Sequence, residues 1–82
     1  MRVVTLYGRP GCHLCDEARE AIRRLRSELP PFELREVDID TDDALHSRYL
    51  ERIPVVEVDG AVVSELVFDP SRLRASLDTV RP

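Results

Sequence analysis

Apolar positions along this chain switch repeatedly between strand-like and helix-like spacing, and glycine, proline or a capping residue marks each switch. Val3-Val4-Thr5-Leu6-Tyr7 is apolar on both faces, which predicts a strand lying centrally in its sheet. Gly8-Arg9-Pro10-Gly11 is a loop by composition. From Leu14 the apolar residues fall at Leu14, Ala18, Ala21 or Ile22, Leu25 and Leu29, a helical spacing that Pro30-Pro31 stops. Phe32 to Ile39 predicts a second strand, which Pro31 places at an edge. Its alternation slips between Leu34 and Val37, so a bulge or an early end is expected. Asp40 or Thr41 caps a second, weakly amphipathic helix carrying Leu45, Tyr49 and Leu50, which must end before Pro54.

Val55-Val56-Glu57-Val58 and Ala61-Val62-Val63 flank Asp59-Gly60, the strongest hairpin signal in the chain. The last helix has Asp69 as N-cap and Pro70 at its first position, with Phe68 stapled onto Leu73. Leu73, Leu77 and Val80 form its predicted buried stripe. The opening strand-helix-strand implies two parallel strands joined by a right-handed crossover. With the hairpin, this gives an α/β fold: a four-stranded mixed sheet flanked by three helices, in the order βαβαββα. The first helix then starts at the carboxyl end of a central strand, where open α/β sheets place their sites.

A chain of 82 residues has room for one domain, 1–82, with one small core. Hydrophobic content of 43% and charged content of 34% fit a soluble globular protein. The net charge of −4 argues against nucleic acid as a partner, because binding phosphates needs clustered positive charge. The first apolar run ends at Gly8, too short for a signal-peptide core or a membrane span, so no membrane partner and a cytoplasmic location are expected.

The remaining signal is chemical. Arg9-Pro10-Gly11-Cys12-His13-Leu14-Cys15-Asp16 holds the only two cysteines, three positions apart. At a helix start, that spacing puts Cys12 and Cys15 on one face within a single turn, close enough to form a disulfide. A crosslink over so short a loop constrains little, and in a reducing compartment such a pair is more often catalytic or metal-binding. Unpaired amides and partial positive charge at the helix end favour a thiolate. Thiols in such settings titrate at roughly 3.5–7.5, against about 8.5 for a free thiol. Cys12, next to the loop, is expected to be the exposed, attacking sulfur, and Cys15 the resolving one.

Other readings stand beside this one. The cysteines could be a buried apolar pair in a redox-inert adaptor, or the thiols of a metal or iron–sulfur carrier with His13 and His46 as further ligands. No second C-x-x-C is present, and no metal site is assigned. His13 as a cation would stabilise the thiolate; otherwise it is an exposed polar residue. Arg9 would steer anionic thiol carboxylates or favour the Cys12 thiolate, or be a solvated loop residue.

TLYGRPGCHLC resembles the first strand and active-site loop of the glutaredoxins, small members of the thioredoxin superfamily. Their Tyr and basic residue before the first cysteine correspond to Tyr7 and Arg9. Ile53-Pro54-Val55 is similar to the segment carrying the family's cis proline opposite the active site. The element order also agrees, so the likeness covers nearly the whole chain. A nearer resemblance is to a group of short bacterial glutaredoxin-like proteins sharing CHLCD and an ending like Phe68-Asp69-Pro70-Ser71-Arg72-Leu73. The resemblance implies a thioredoxin fold and a dithiol–disulfide oxidoreductase active in cell redox homeostasis and electron transport. Its catalytic residues would be Cys12 and Cys15, with Tyr7, Arg9, His13, Ile53 and Pro54 around the bound thiol. It implies no prosthetic group beyond the redox-active disulfide. The partners would be a disulfide-bearing protein or small thiol, and a reductase or a low-molecular-weight thiol such as glutathione as reductant. The working unit would be a monomer. A cis Ile53-Pro54 bond is expected beside Cys12, exposing backbone groups that pair with an extended substrate.

One departure changes the picture. Glutaredoxins carry a glycine pair and an acidic residue before the last helix, where the γ-glutamyl end of glutathione binds. This chain has Ser64-Glu65-Leu66-Val67-Phe68-Asp69 there, which predicts poor use of glutathione.

Overall fold

The computed structural model describes residues 1–78. The elements run β1 (Arg2–Gly8), α1 (His13–Leu25), β2 (Phe32–Asp38), α2 (Asp43–Tyr49), β3 (Val55–Val58), β4 (Ala61–Glu65) and α3 (Pro70–Asp78). Short 3-10 turns cover Arg26–Glu28 and Ile39–Thr41. The sheet order is β2-β1-β3-β4; β1 pairs parallel with β2 and antiparallel with β3. The predicted central position of β1 and edge position of β2 are therefore both found. Asp59 and Gly60 have φ of 51° and 87°, the two positive values a two-residue hairpin turn requires.

Alternation along the strands divides the core between two faces. Val4 and Leu6 pack with Ala18 and Ile22 of α1, Val56 and Val58 of β3, and Leu73 and Leu77 of α3. On the other face Ile39, Tyr49 and Val55 form a smaller cluster, with Tyr7, Leu45 and Ile53 against it. Phe68 packs onto the larger cluster, and the Asp69 carboxylate accepts the Arg72 N–H at 3.2 Å, as the capping signal predicted. Val80, the last residue of the predicted stripe, lies outside the described residues.

Several expectations are corrected. Leu14 does not belong to the buried stripe of α1: it is 46% exposed, and Cys15 takes the inward position. Leu50 is likewise exposed, leaving Tyr49 as the buried residue of α2. The cap of α2 is Asp42, whose Oδ1 accepts from the Ala44 and Leu45 N–H groups at 2.8 and 3.1 Å. The slip in β2 is not a bulge; of the two outcomes expected there, the early end is the one found. Glu36 occupies the face toward α1 because Arg19 and Arg23 of that helix pair with it, and the strand ends one residue early, at Asp38. The sheet does carry an irregularity, but between β3 and β4: Val56 pairs with Ser64 and Glu57 with Val62, so Val63 is the extra residue. That extra residue leaves both Val63 and Ser64 buried, and Ser64 Oγ has no hydrogen-bond partner among the described residues.

Candidate active site

The site is assembled where β1 runs into α1. Gly11, at φ 80°, takes the left-handed conformation that turns the chain into the helix. The Cys12 N–H closes this turn on the Arg9 carbonyl at 3.3 Å. Cys12 then serves as the N-cap of α1, in extended conformation, and its Sγ accepts the Cys15 N–H at 3.1 Å. A sulfur thus does what a serine or aspartate oxygen commonly does at a helix start. Cys12 and Cys15 are joined by a disulfide with their Cα atoms 5.2 Å apart. Cys12 is half-buried and Cys15 fully buried, the asymmetry expected from their positions.

Gly8 makes room for the inner sulfur. A Cβ at this position would meet Cys15 Cβ at 3.0 Å and Sγ at 3.1 Å, tighter than ordinary packing. By composition Gly8 reads only as a loop residue; its position directly before the cysteine loop is the available signal. Gly8→Ala is expected to cost about 1–3 kcal/mol, the usual range for overpacking a core. Because the clash falls on Cys15, the variant should also shift the thiol–disulfide equilibrium, while Gly60→Ala should leave it unchanged. Chemical denaturation and equilibration in thiol buffers would measure both effects.

The other residues expected here are placed as follows. The Arg9 guanidinium pairs with Asp40 Oδ2 at 3.3 Å, and His46 lies 3.6 Å from Oδ1 of the same carboxylate. His13 is 86% exposed and faces Glu17 one turn along α1. Asp16, the acidic residue of the first turn, is engaged by Arg19 at 2.9 Å, a partner that offsets its repulsion of a thiolate. Among the described residues no group of three or more ligand-type side chains could hold a metal ion.

The Ile53–Pro54 bond is cis and Pro54 is buried. Pro54 directly precedes the Tyr7–Val55 pair of the sheet, which puts it at the carboxyl end of β1, the end from which α1 starts. The expected free backbone edge is corrected in part. The Ile53 N–H already donates to the Tyr49 carbonyl at 3.0 Å, and the Pro54 carbonyl accepts the Leu66 N–H at 3.1 Å.

Tyr7 lies on the α2 face of the sheet. Its ring stands 4.7 Å from that of Tyr49, and Glu57 accepts from both hydroxyls, at 3.3 and 3.0 Å. Burial first, and then the Glu57 carboxylate, hold the Tyr7 hydroxyl above its ordinary pKa. Protonated Tyr7 therefore adds stability that is complete below its unfolded value of about 10 and is lost as pH rises through the higher folded value. Glu57→Gln removes the charge but not the burial, so tyrosinate absorbance should rise at lower pH in that variant. An unchanged titration would show that Glu57 is not a cause. Glu57 had no sequence signal beyond being a polar residue within a valine strand.

Leu66 was also missed as a structural element. It is half-exposed at φ 63°, and its N–H is shared between the carbonyls of Arg52 and Pro54 at 2.9 and 3.1 Å. The adjacent Val67 N–H turns back to the Glu65 carbonyl at 2.6 Å. Such a positive φ in a leucine is strained, and the two carbonyls compensate it.

A four-stranded sheet with a cis proline at one end and a cysteine pair opening the neighbouring helix defines a thioredoxin-fold protein. A thioredoxin mutant from Halobacterium salinarum superposes with a TM-score of 0.66 at 25% identity, covering 99% of this chain and 78% of that one. A family profile described as Glutaredoxin-like domain (DUF836) matches residues 3–78, and the chain belongs to that family. A Nitrosomonas europaea protein solved by NMR is similar at 32% identity and TM-score 0.82, over 94% of this chain and 92% of that one. A protein from X. campestris solved by X-ray diffraction is 43% identical at TM-score 0.71, over 95% of this chain and 99% of that one. A Dictyostelium discoideum protein described as glutaredoxin-like is 29% identical over 94% of this chain and 76% of its own length. The fold and the bonded cysteine pair together support a thiol redox role. No helix among the described residues is long and apolar enough to cross a membrane.

Proposed function

We propose that the protein is a dithiol–disulfide oxidoreductase that reduces protein or mixed disulfides through Cys12 and Cys15. The observation that carries this reading is the Cys12 sulfur capping α1: half-buried, bonded to Cys15 and hydrogen-bonded to the Cys15 N–H. When the disulfide is reduced, that N–H and the helix end favour the thiolate of Cys12 over its thiol. The thiolate attacks a substrate disulfide, giving a mixed disulfide with Cys12 and releasing one substrate thiol. Cys15 then attacks the Cys12 sulfur, re-forming the internal disulfide and releasing the second thiol. A low-molecular-weight thiol or a reductase returns the pair to the dithiol, and no resident metal or organic group takes part. We place this activity in the cytoplasm and in a monomer.

The test is reduction of a protein disulfide with dithiothreitol as the terminal reductant. Wild-type protein should accelerate it and Cys12→Ser should not, while reduced Cys15→Ser, mixed with the substrate disulfide after dithiothreitol is removed, should accumulate a mixed disulfide visible by mass. Equal rates for wild type and Cys12→Ser would overturn the proposal.

A further inference from the structure

The resolving step contains an unassigned proton. Cys15 is fully buried, and burial disfavours a thiolate. The helix-start N–H that reaches the pair, that of Cys15, donates to Cys12 Sγ and not to the Cys15 sulfur. Yet Cys15 must lose its proton to attack. We propose that Asp38 accepts it, an inference that rests on the oxidoreductase reading above.

Three observations converge on Asp38. Cys15 packs on bare Gly8, and Gly8 is in parallel register with Asp38, so both residues of the pair present the same sheet face. Cys15 and Asp38 also line one cleft of about 380 Å³ between α1 and the carboxyl ends of β1 and β2. That is room for several waters, so the proton can pass through one. The other charged groups lining the cleft are Arg9 from the loop, Asp16 and Arg19 from α1, and Glu36 from β2. Asp16 is bound by Arg19, Glu36 by Arg19 and Arg23, and Arg9 is paired with Asp40 outside this set. Guanidinium groups therefore already occupy Asp16 Oδ1 and both oxygens of Glu36. Asp38 has no ion pair among the described residues. Its Oδ1 takes the Asp40 N–H at 2.9 Å, which fixes the side chain at the base of the turn.

The step balances as follows. Cys15 Sγ forms a bond to Cys12 Sγ as the bond from Cys12 Sγ to the client sulfur breaks. The electron pair of the broken bond leaves on the client sulfur as a thiolate. The Cys15 proton goes to Asp38 and from there to the client thiolate or solvent. The client sulfur is reduced and the two cysteines are oxidised.

The reaction of reduced protein with the aryl disulfide 5,5′-dithiobis(2-nitrobenzoate) separates the two steps. The first equivalent of coloured thiolate reports attack by Cys12, and the second reports resolution by Cys15. In Asp38→Asn the amide oxygen can still accept the Asp40 N–H, so the turn is kept while the base is lost. The first release should be unchanged within about twofold. The second should slow about tenfold to a hundredfold near neutral pH, at or below the usual range for a general base, and recover at alkaline pH where the thiol ionises unaided. Equal slowing of both releases at every pH would indicate a merely structural role and overturn the proposal. So would a wild-type second release in Asp38→Asn, or a loss that follows Asp16→Asn or Glu36→Gln instead. A wild-type protein that never gives the second equivalent would overturn the oxidoreductase reading and the proposal with it.

Discussion

In the reduced protein, iodoacetamide is expected to alkylate Cys12 at least about tenfold faster than Cys15 near pH 6, where ordinary thiols scarcely react. Only the thiolate is the nucleophile, so the rate follows the thiolate fraction and access. Cys12 Sγ accepts the Cys15 N–H at 3.1 Å at the head of a 13-residue helix, whereas Cys15 is wholly buried against Gly8. A hydrogen bond to a charged group is worth about 1.5–3 kcal/mol, which corresponds to roughly a ten- to hundredfold gain in thiolate at a pH below the thiol's own titration. Burial works against Cys15 in the same direction, through desolvation and through exclusion of the reagent. The ratio should narrow as pH rises and the ordinary thiol ionises. Faster labelling of Cys15 at low pH would reverse the assignment of attacking and resolving sulfurs.

The fold was legible wherever a local signal has one physical meaning. Asp59-Gly60 lies between two valine-rich runs, and the two positive φ values exclude most other residue pairs. Asp69-Pro70 marks a helix start because one residue supplies an acceptor and the next lacks an N–H that would be orphaned. The site was legible to the extent that spacing alone puts two sulfurs on one helical turn. The errors came from distant partners. Asp42 rather than Asp40 caps α2 because Asp40 faces Arg9, a residue 31 positions earlier, and no local rule ranks the acids of that run. Leu14 was assigned inward because leucine is the stronger apolar signal, but the bare surface of Gly8 admits the smaller cysteine there. Glu36 broke the strand period for the same reason, being bound to arginines on a different element.

The largest functional departure expected from typical glutaredoxins is poor use of glutathione. Holding its γ-glutamyl end takes backbone N–H donors near the start of the last helix and an open approach to them. Three such donors are spent within the chain. Leu66 N–H is shared between two carbonyls, Val67 N–H is bonded to Glu65, and Arg72 N–H is capped by Asp69. The approach carries the half-exposed Leu66 side chain and Val67, which is 73% exposed. Asp69 adds negative charge beside these amides, and Arg9 is already paired with Asp40. Losing two or three contacts of about 1 kcal/mol each would weaken binding by roughly ten- to a hundredfold, and by up to about a thousandfold where they are charge-assisted. In a glutathione-coupled mixed-disulfide assay the protein should therefore turn over slowly, with saturation beyond the glutathione range of a glutaredoxin run beside it. With dithiothreitol in place of glutathione, reduction of a protein disulfide should proceed, which separates a missing glutathione site from a missing activity. Turnover equal to the glutaredoxin control at equal glutathione would show that the Leu66–Asp69 segment rearranges to bind it. Calorimetric titration of glutathione into Cys15→Ser would then find the affinity that the bound geometry of these amides argues against.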